Sequence, residues 1–465
     1  MTGSHRLRAF IVTALGVAAA APASAFVDWS LTGSAGYDDN PERAARSSSG
    51  SGTLYGGGTL TIDEKRPRLD ALVGANIGYL EYLKGGYSGQ LLGSVKADLR
   101  YALIPKTLFW SLDDTFGQGA QNALAAATPQ NRTNVNIFST GPSLVLPINS
   151  ITRFTADARL GIDTYQSGYQ PNDVRYSGSV GVVRQLSTAS SLALNGEYLK
   201  VNYSQNSSVA SNPLAPLTDY SAADYDRQSA YLRYLTGDKR NTLTADLGVS
   251  KVKQNNETFN SPLARLNLTH KVTAYWSVGV GAAREFTDGA QNFAGSVGNS
   301  GLPLPGEPPP GVNHTTQTLP LTNQPLKSDS GSASATYTAA RTSFSVGGSV
   351  AHDRFLTADR SDDNRTDGNV SFSRRLSPHS DLHLGASYEY RDFINIGTSD
   401  HTIYGNATYT WQFEGAYRIY GAYNYEKRSS SSGIYSYTDN RISIGITYAP
   451  VHRRDSSMTN FALPR

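Results

Sequence analysis

The sequence predicts an all-β fold: a transmembrane antiparallel up-and-down β-barrel of about 20 strands (about 18 to 22 allowed), with short periplasmic turns and long extracellular loops. Three observations predict it. Apolar and polar residues alternate through one segment of about ten residues after another, short turns alternate with long polar connections, and an export signal opens a chain that has no cysteine. The predicted location is the bacterial outer membrane, as an integral protein.

The first 25 residues read as a secretory signal peptide. Arg6 and Arg8 precede an apolar stretch over 9–21, and 23–25 is a small-residue cleavage site, Ala-Ser-Ala. An uncleaved membrane anchor is the alternative, and the short apolar stretch disfavours it. Removal of the two arginines lowers the 41 Lys and Arg residues to 39, against 38 Asp and Glu. This near-neutral balance predicts no nucleic-acid partner.

Strand periodicity is clearest near the C-terminus, where Ile442, Ile444 and Ile446 alternate with polar neighbours. Because successive side chains of a strand point to opposite faces, one face is apolar and the other polar. Lipid outside and a water-filled lumen inside suit both faces. About twenty such segments occur, and they begin near Val27, Leu54, Leu69, Gln90, Thr107, Asn134, Thr152, Val174, Leu192, Arg227, Thr242, Pro262, Trp276, Gly331, Phe344, Asn369, Leu382, Thr402, Ala416 and Arg441.

The connections between these segments alternate in length. Short turns such as Pro105-Lys106 and 377–380 alternate with long polar connections such as 38–52, 206–224 and 289–326. The N-terminus starts in the periplasm, so the long loops are predicted outside the cell. A soluble β-sandwich or propeller is the alternative, but its packed interior could not hold so many charged groups without a large desolvation cost.

The last strand and the tail after it define the end of the barrel. Ser443–Tyr448 resembles the signal by which the assembly machinery recognises outer-membrane barrels, so that machinery is a predicted partner. A polar periplasmic tail is predicted over 451–465, and the barrel domain over 26–450. A TonB-dependent transporter would need a globular plug before its barrel. Strands begin almost directly after the signal, which disfavours that class.

Charged residues on the polar face are predicted to line the pore, where arginine favours anionic groups. The alternative is that they pair across strands and stiffen the wall. Neutral residues of the same face, among them Asn76, Asn195, Tyr404 and Asn424, would suit sugar hydroxyls, and ordinary pore hydration explains them equally well. The predicted pore-lining residues are Lys96, Arg100, Arg153, Asp157, Arg159, Arg175, Arg265, Glu389, Arg391, Arg418 and Arg441.

No arrangement of residues in the sequence predicts catalysis, a cofactor or a metal. The histidines form no nucleophile elbow, HExxH motif or paired metal spacing. Asp38-Asp39-Asn40 and Asp362-Asp363-Asn364 could hold calcium weakly, but they lack the glycine and terminal glutamate of a calcium loop. We therefore expect a protein that is not an enzyme, with no cofactor.

Three short motifs carry a resemblance to a known family. They are Gly36–Asn40 (GYDDN), Asp113–Gln118 (DDTFGQ) and Thr128–Pro142 (TPQNRTNVNIFSTGP). The chain resembles outer-membrane β-barrel porins associated with exopolysaccharide loci, some of which accompany exosortase-type surface systems. The resemblance implies a role in moving a secreted polysaccharide across the outer membrane, or in anchoring its export. It also implies polysaccharide, periplasmic export components and outer-membrane lipid with lipopolysaccharide as partners.

Two other functions stay open at this point. One is a general diffusion porin for small solutes, and the other is a closed structural or surface-interaction barrel. About twenty strands leave a lumen too wide for side chains to fill. We therefore expect the proline-rich connection 289–326 to fold inward as a constriction or lid, with a disordered external flap as the alternative.

Overall fold

The computed structural model describes residues 26–450 except 46–48, 85–86, 88, 121–123, 127, 167–170, 205–222, 300–323, 357–361 and 434. The signal peptide predicted over 1–25, the tail over 451–465 and most of the 289–326 connection therefore lie outside the described residues. The described chain forms one 20-stranded antiparallel sheet. Pairing of the first strand with the last closes the sheet, which confirms the predicted fold class.

Every strand except the first and last pairs with the strands before and after it in the chain, which is the up-and-down order. All twenty predicted segments are strands. In chain order they are β1 Phe26–Asp38, β2 Ser51–Lys65, β3 Leu69–Tyr82, β4 Gln90–Ile104, β5 Leu108–Ala120, β6 Arg132–Pro147, β7 Thr152–Tyr165, β8 Asp173–Gln185, β9 Ser190–Tyr203, β10 Tyr225–Gly237, β11 Asn241–Gln254, β12 Glu257–Lys271, β13 Trp276–Asp288, β14 Pro325–Thr338, β15 Thr342–Phe355, β16 Asp363–Ser377, β17 Ser380–Phe393, β18 Thr398–Glu414, β19 Tyr417–Ser430 and β20 Tyr437–Tyr448.

The outer surface of the barrel is apolar. Leu194, Leu247, Val249 and Ile444 are each more than 60% exposed on strands whose alternate residues face inward. Such exposure of large aliphatic side chains is stable in lipid and unfavourable in water. The chain is thus an integral outer-membrane barrel. Among the described residues, no helix is both long and apolar enough to cross a membrane.

The two ends of the barrel differ in the length of their connections. One end carries only short turns, such as 66–68, 238–240 and 415–416, and the other carries the long loops. An exception at the long-loop end is the hairpin between β11 and β12. Its two residues, Asn255 and Asn256, have φ of 50° and 63°, the left-handed values that a tight hairpin turn needs. Outer-membrane barrels place the long-loop end outside the cell.

Aromatic side chains form a row at the short-turn end, across β18, β19, β20 and β1. Tyr448 contacts Trp29 and Tyr417, with ring centroids 5.6 and 5.0 Å apart, and Phe413 continues the row at 5.7 Å from Tyr417. Tyr203, at the long-loop end of β9, instead faces inward among buried residues. Its position shows that the long-loop end of the lumen contains a packed core.

The wall separates at the long-loop end between β12 and β13. These strands pair only from Ala264↔Arg284 to Lys271↔Ser277, whereas β13 continues to pair with β14 as far as Asp288. Beyond Arg284 the chain bends inward, and Phe286 packs against Val252 and Tyr225 on the inner face of the wall. The helix that follows, α1 Gly289–Asn299, starts from inside the barrel mouth.

Candidate functional site

The candidate functional site is the lumen and the group of chain segments that fills its long-loop end. Strand register places every predicted pore-lining residue on the inward face. That they line a conducting path stays a prediction. Two parts of the lumen can be distinguished by what those residues contact.

A chain of charged groups crosses the middle of the lumen wall. Asp246, on β11, is buried and accepts two hydrogen bonds from Arg233, on β10, at 2.7 and 2.8 Å. Arg265, on β12, lies 3.4 Å from the same carboxylate and 2.7 Å from Glu285, on β13. The Tyr231 ring lies beneath both guanidinium groups, at 5.4 and 5.6 Å. Alternating charges hold four adjacent strands together and present a polar surface to the lumen.

A second and more buried group lies at the long-loop end around Arg175, on β8. Its guanidinium contacts Asp163 at 2.6 Å, Asp173 at 2.8 Å and Asp288 at 2.8 Å. Asp288 is fully buried and also accepts a hydrogen bond from the Tyr225 hydroxyl at 2.7 Å. Three carboxylates around one arginine form a buried network, and such a network is costly to break once its ions have left water.

Asp288 has a further role as the N-terminal cap of α1. Its Oδ1 accepts a hydrogen bond from the Gln291 backbone N–H at 3.0 Å, which satisfies one of the free donors of the first helical turn. Its Oδ2 holds Arg175 and Tyr225. One carboxylate therefore forms the start of the helix and also fastens that helix to β8 and β10.

The far side of α1 is held by apolar packing. Phe293 is fully buried against Val135 and Tyr165, on β6 and β7, with Ile137 beside them. The helix also lies against β4 and β5. It begins at the end of β13 and reaches strands well around the barrel, so it crosses the long-loop end of the lumen.

The connection between β5 and β6 also folds inward, toward β18 and β19. Arg428 donates hydrogen bonds to the carbonyl oxygens of Leu124 and Ala125 at 2.9 and 3.0 Å and pairs with Asp400 at 2.5 Å. Asn131 donates to the carbonyl oxygens of Ala125 and Ala126, within the same connection. We call this inward connection together with α1 the mouth plug: residues 124–131 except the undescribed 127, and 289–299.

Beside the mouth plug, the β1–β2 connection is anchored by Arg43. The guanidinium contacts Glu426 at 2.9 Å, and Glu426 also contacts Arg441 and accepts a hydrogen bond from Tyr437. Burial disfavours the charged form of Arg43. Glu426 and the neighbouring acidic groups outweigh that effect, and the pKa of Arg43 lies above its usual value. The Arg43 guanidinium therefore stays charged and holds this connection against β19 and β20.

Of the two acidic tips considered for calcium, the first gains a third carboxylate in the fold. Asp38, Asp39 and Asp439 have carboxylate oxygens within 4.8 Å of one another. Asn440 donates to both oxygens of Asp39, and Arg441 lies 3.1 Å from Asp439. These partners explain the cluster as part of the ion-pair network that joins β1 and β20.

The predicted pore-lining residues therefore separate into two sets. Arg175, Arg391 and Arg441 are held in ion pairs at the long-loop end, where their side chains are at most 18% exposed. The others lie nearer the middle or the short-turn end, where inward charges meet more solvent. Asp288, Phe293, Arg428 and Arg43 act at the mouth and were not predicted from the sequence. Arg43 and Phe293 lie in connections, which have no alternation from which an inward direction could have been inferred. Arg428 continues the inward face of β19 beyond Glu426, and Asp288 reaches the mouth only through the bend after Arg284.

The comparison with known proteins finds a similarity of fold and no similarity of sequence. No family model and no curated protein matches the sequence. The FrpB iron transporter from Neisseria meningitidis is 10% identical, with 91% of this chain and 81% of that chain covered and a TM-score of 0.45. A mutant ferric enterobactin receptor (PfeA) from Pseudomonas aeruginosa, in complex with enterobactin, is 11% identical, with 90% and 81% covered and a TM-score of 0.48. The unliganded ferric citrate transporter FecA is 10% identical, with 91% and 78% covered and a TM-score of 0.41.

Likeness at this level is too distant to bear on function. The association with exopolysaccharide loci, expected from the three motifs, stays a prediction.

Proposed function

We propose that this barrel is a gated outer-membrane channel through which a secreted exopolysaccharide leaves the cell. The observation that carries the proposal is the contrast between the two parts of the lumen. The wall is a continuous hydrogen-bonded sheet with a polar inner face. The long-loop mouth, in contrast, is occupied by the mouth plug, which a small number of side-chain contacts hold in place.

The lumen suits a hydrated polymer. A closed sheet of this strand number encloses more space than side chains fill. Its inner face offers charged groups such as Arg265 and Asp246, and hydroxyl and amide groups such as Tyr404 and Asn424, which hydrogen-bond each other at 2.8 Å. Groups of this kind exchange hydrogen bonds with sugar hydroxyls without binding any one sugar tightly.

The mouth plug provides the gate. Opening requires α1 and the β5–β6 connection to move, and the ladder hydrogen bonds of the wall can stay intact. The contacts that must break are those of Asp288 with Arg175 and Tyr225, the packing of Phe293, and the hydrogen bonds of Arg428 to Leu124 and Ala125. A substrate or a periplasmic export component that binds the open arrangement more tightly would shift the population toward it.

The two other functions differ in measurable ways. A general diffusion porin needs a mouth that is open at rest, and the mouth plug argues against it. A closed structural or surface-interaction barrel would keep its plug in place under all conditions. Conductance in a planar lipid bilayer separates them. We expect low conductance from the wild-type barrel and high conductance once the plug is released by substitution, whereas low conductance in every plug variant would favour the closed barrel.

A further inference from the structure

A diagonal groove of about 1330 Å³ runs along the lipid-facing surface of the wall from β5 to β12. Its floor follows one row of directly opposed residues across the strands. The row starts at Leu108 and Leu144 near the short-turn end, passes Val180 and Ala230, and reaches Pro262 toward the long-loop end. Because barrel strands are tilted, a row perpendicular to them climbs through the membrane.

Small residues make the groove deep. Ala156, Gly196 and Ala230 occupy the floor row, and Ala158 and Gly178 occupy the row above it. A Cβ atom built at Gly196 would touch only a Val180 methyl group, at 3.7 Å, so no packing requirement excludes a larger residue there. The outer surface of the wall is therefore concave and apolar along this groove, whereas large aliphatic side chains project from the rest of the lipid-facing surface.

The upper end of the groove is polar and then cationic. The row of Ala158 and Gly178 continues through Tyr198 and Gln228 to Lys251. One row higher, Lys200 and Lys253 stand on either side of Asp226. Asp226 accepts a hydrogen bond from the Tyr198 hydroxyl at 2.9 Å. Three exposed lysines against one carboxylate leave a positive surface at the extracellular edge of the lipid belt.

We propose that this groove binds a phosphorylated glycolipid of the outer leaflet, namely the lipid A part of lipopolysaccharide. Its acyl chains would lie along the row from Leu144 to Val249, and its phosphate groups would meet Lys200, Lys251 and Lys253. The order of the surface along the groove, apolar, then aromatic and amide-bearing, then cationic, matches the order of chemical groups in such a molecule. A protein partner would require no such gradient with membrane depth.

The test uses the purified full-length mature barrel in detergent, stripped of lipid, with bound lipid counted by native mass spectrometry. We expect one lipid A molecule to bind. The triple variant Lys200→Ala, Lys251→Ala, Lys253→Ala should bind it at least about tenfold more weakly, because each of the three lysines contributes its own electrostatic attraction to an anionic lipid. Lys427→Ala, which removes an exposed lysine from β19 at the same height of the barrel, should bind as the wild type does.

A second variant tests the apolar part of the site separately. Gly196→Leu fills the groove and should weaken binding although all three lysines remain, whereas Gly421→Leu, at a position with no atom within 4 Å of its Cβ, should not. Circular dichroism and thermal unfolding verify that each variant folds. Equal binding by the triple variant, by dephosphorylated lipid A or by phosphatidylglycerol would overturn the assignment.

Discussion

Asp288 Oδ2 lies 2.8 Å from Arg175 Nη1, although four strands separate β13 from β8 along the sheet. A round barrel would keep those strands far apart. The contact exists because β13 leaves β12 after Arg284 and turns inward, so its last residue reaches the inner surface of β8. The first turn of α1 is thereby fixed inside the mouth, and this one relationship underlies the predictions about gating.

Replacement of Asp288 should release the start of α1. Asp288→Ala removes both the cap on Gln291 and the partner of Arg175, whereas Asp288→Asn keeps a cap of similar quality. We expect the alanine variant to lose about 3 kcal/mol of plug docking, the lower end for a broken buried ion pair, because Arg175 keeps Asp163 and Asp173. Single-channel recording should show a marked rise in open time for Asp288→Ala and a smaller rise for Asp288→Asn.

The control for that experiment is Asp329→Asn. Asp329 pairs with Arg284 at 2.5 Å on the outer surface, where the two side chains are 29% and 47% exposed, so this ion pair is separate from the buried contacts that hold the plug. Equal conductance of the Asp288→Ala variant and the wild type would mean that the ion pair does not hold the gate.

Phe293→Ala should loosen the other side of α1. Removal of a fully buried aromatic side chain leaves a cavity and costs about 3–5 kcal/mol. We expect this loss mainly in the docking free energy of the helix, because the hydrogen bonds between strands hold the barrel wall independently. The chain contains no cysteine, so Ala290→Cys supplies a single reporter thiol at a buried position of α1. The thiol should react slowly in the parent background and many times faster beside Phe293→Ala. Equal rates would show that this packing is not what holds the helix.

Arg428→Ala should release the β5–β6 connection independently of α1. The substitution removes the donors to Leu124 and Ala125 and leaves Asp400 buried without its arginine. Combination with Asp288→Ala should raise conductance above either single change, because the two contacts lie on different segments of the plug. The matched control is Arg375→Ala, whose partner Asp381 is 62% exposed at the short-turn end. A double variant no more conductive than Asp288→Ala would indicate that the β5–β6 connection does not obstruct the lumen.

Asp246→Ala should destabilise the wall without opening the mouth. It leaves Arg265 and Arg233 without their shared carboxylate, and we expect a loss of about 1–3 kcal/mol, reduced by the partial exposure of Arg233. Urea-induced unfolding followed by tryptophan fluorescence measures the loss, and bilayer conductance should stay at the wild-type level. An increase in conductance would place the gate in the barrel wall and contradict the separate roles of the wall and the mouth plug.

Alternation of side chains predicted the strands because each wall residue contacts either lipid or the lumen. The strict alternation of polar and apolar residues from Arg441 to Tyr448 is the clearest example. The same rule gave the inward direction of Arg175 and Arg265. It could not give Asp288 as a partner of Arg175, since Asp288 reaches it only through the bend after Arg284.

Helix α1 lacked a sequence signal for a different reason. Its sequence, GAQNFAGSVGN, is rich in glycine and has weak helix propensity, and its order comes from the Asp288 cap and from Phe293. The concavity of the outer wall was also not evident, because Gly196 and Ala230 read as ordinary small residues until the register brings them into one row.

The most direct test of the central claim is the amount of polysaccharide in the medium and in the periplasm, measured with the gene deleted and then restored. Export through this barrel predicts that deletion lowers secreted polymer and raises periplasmic polymer, and that restoration reverses both. Unchanged amounts in both compartments would contradict the account and would favour a solute pore or a closed surface barrel.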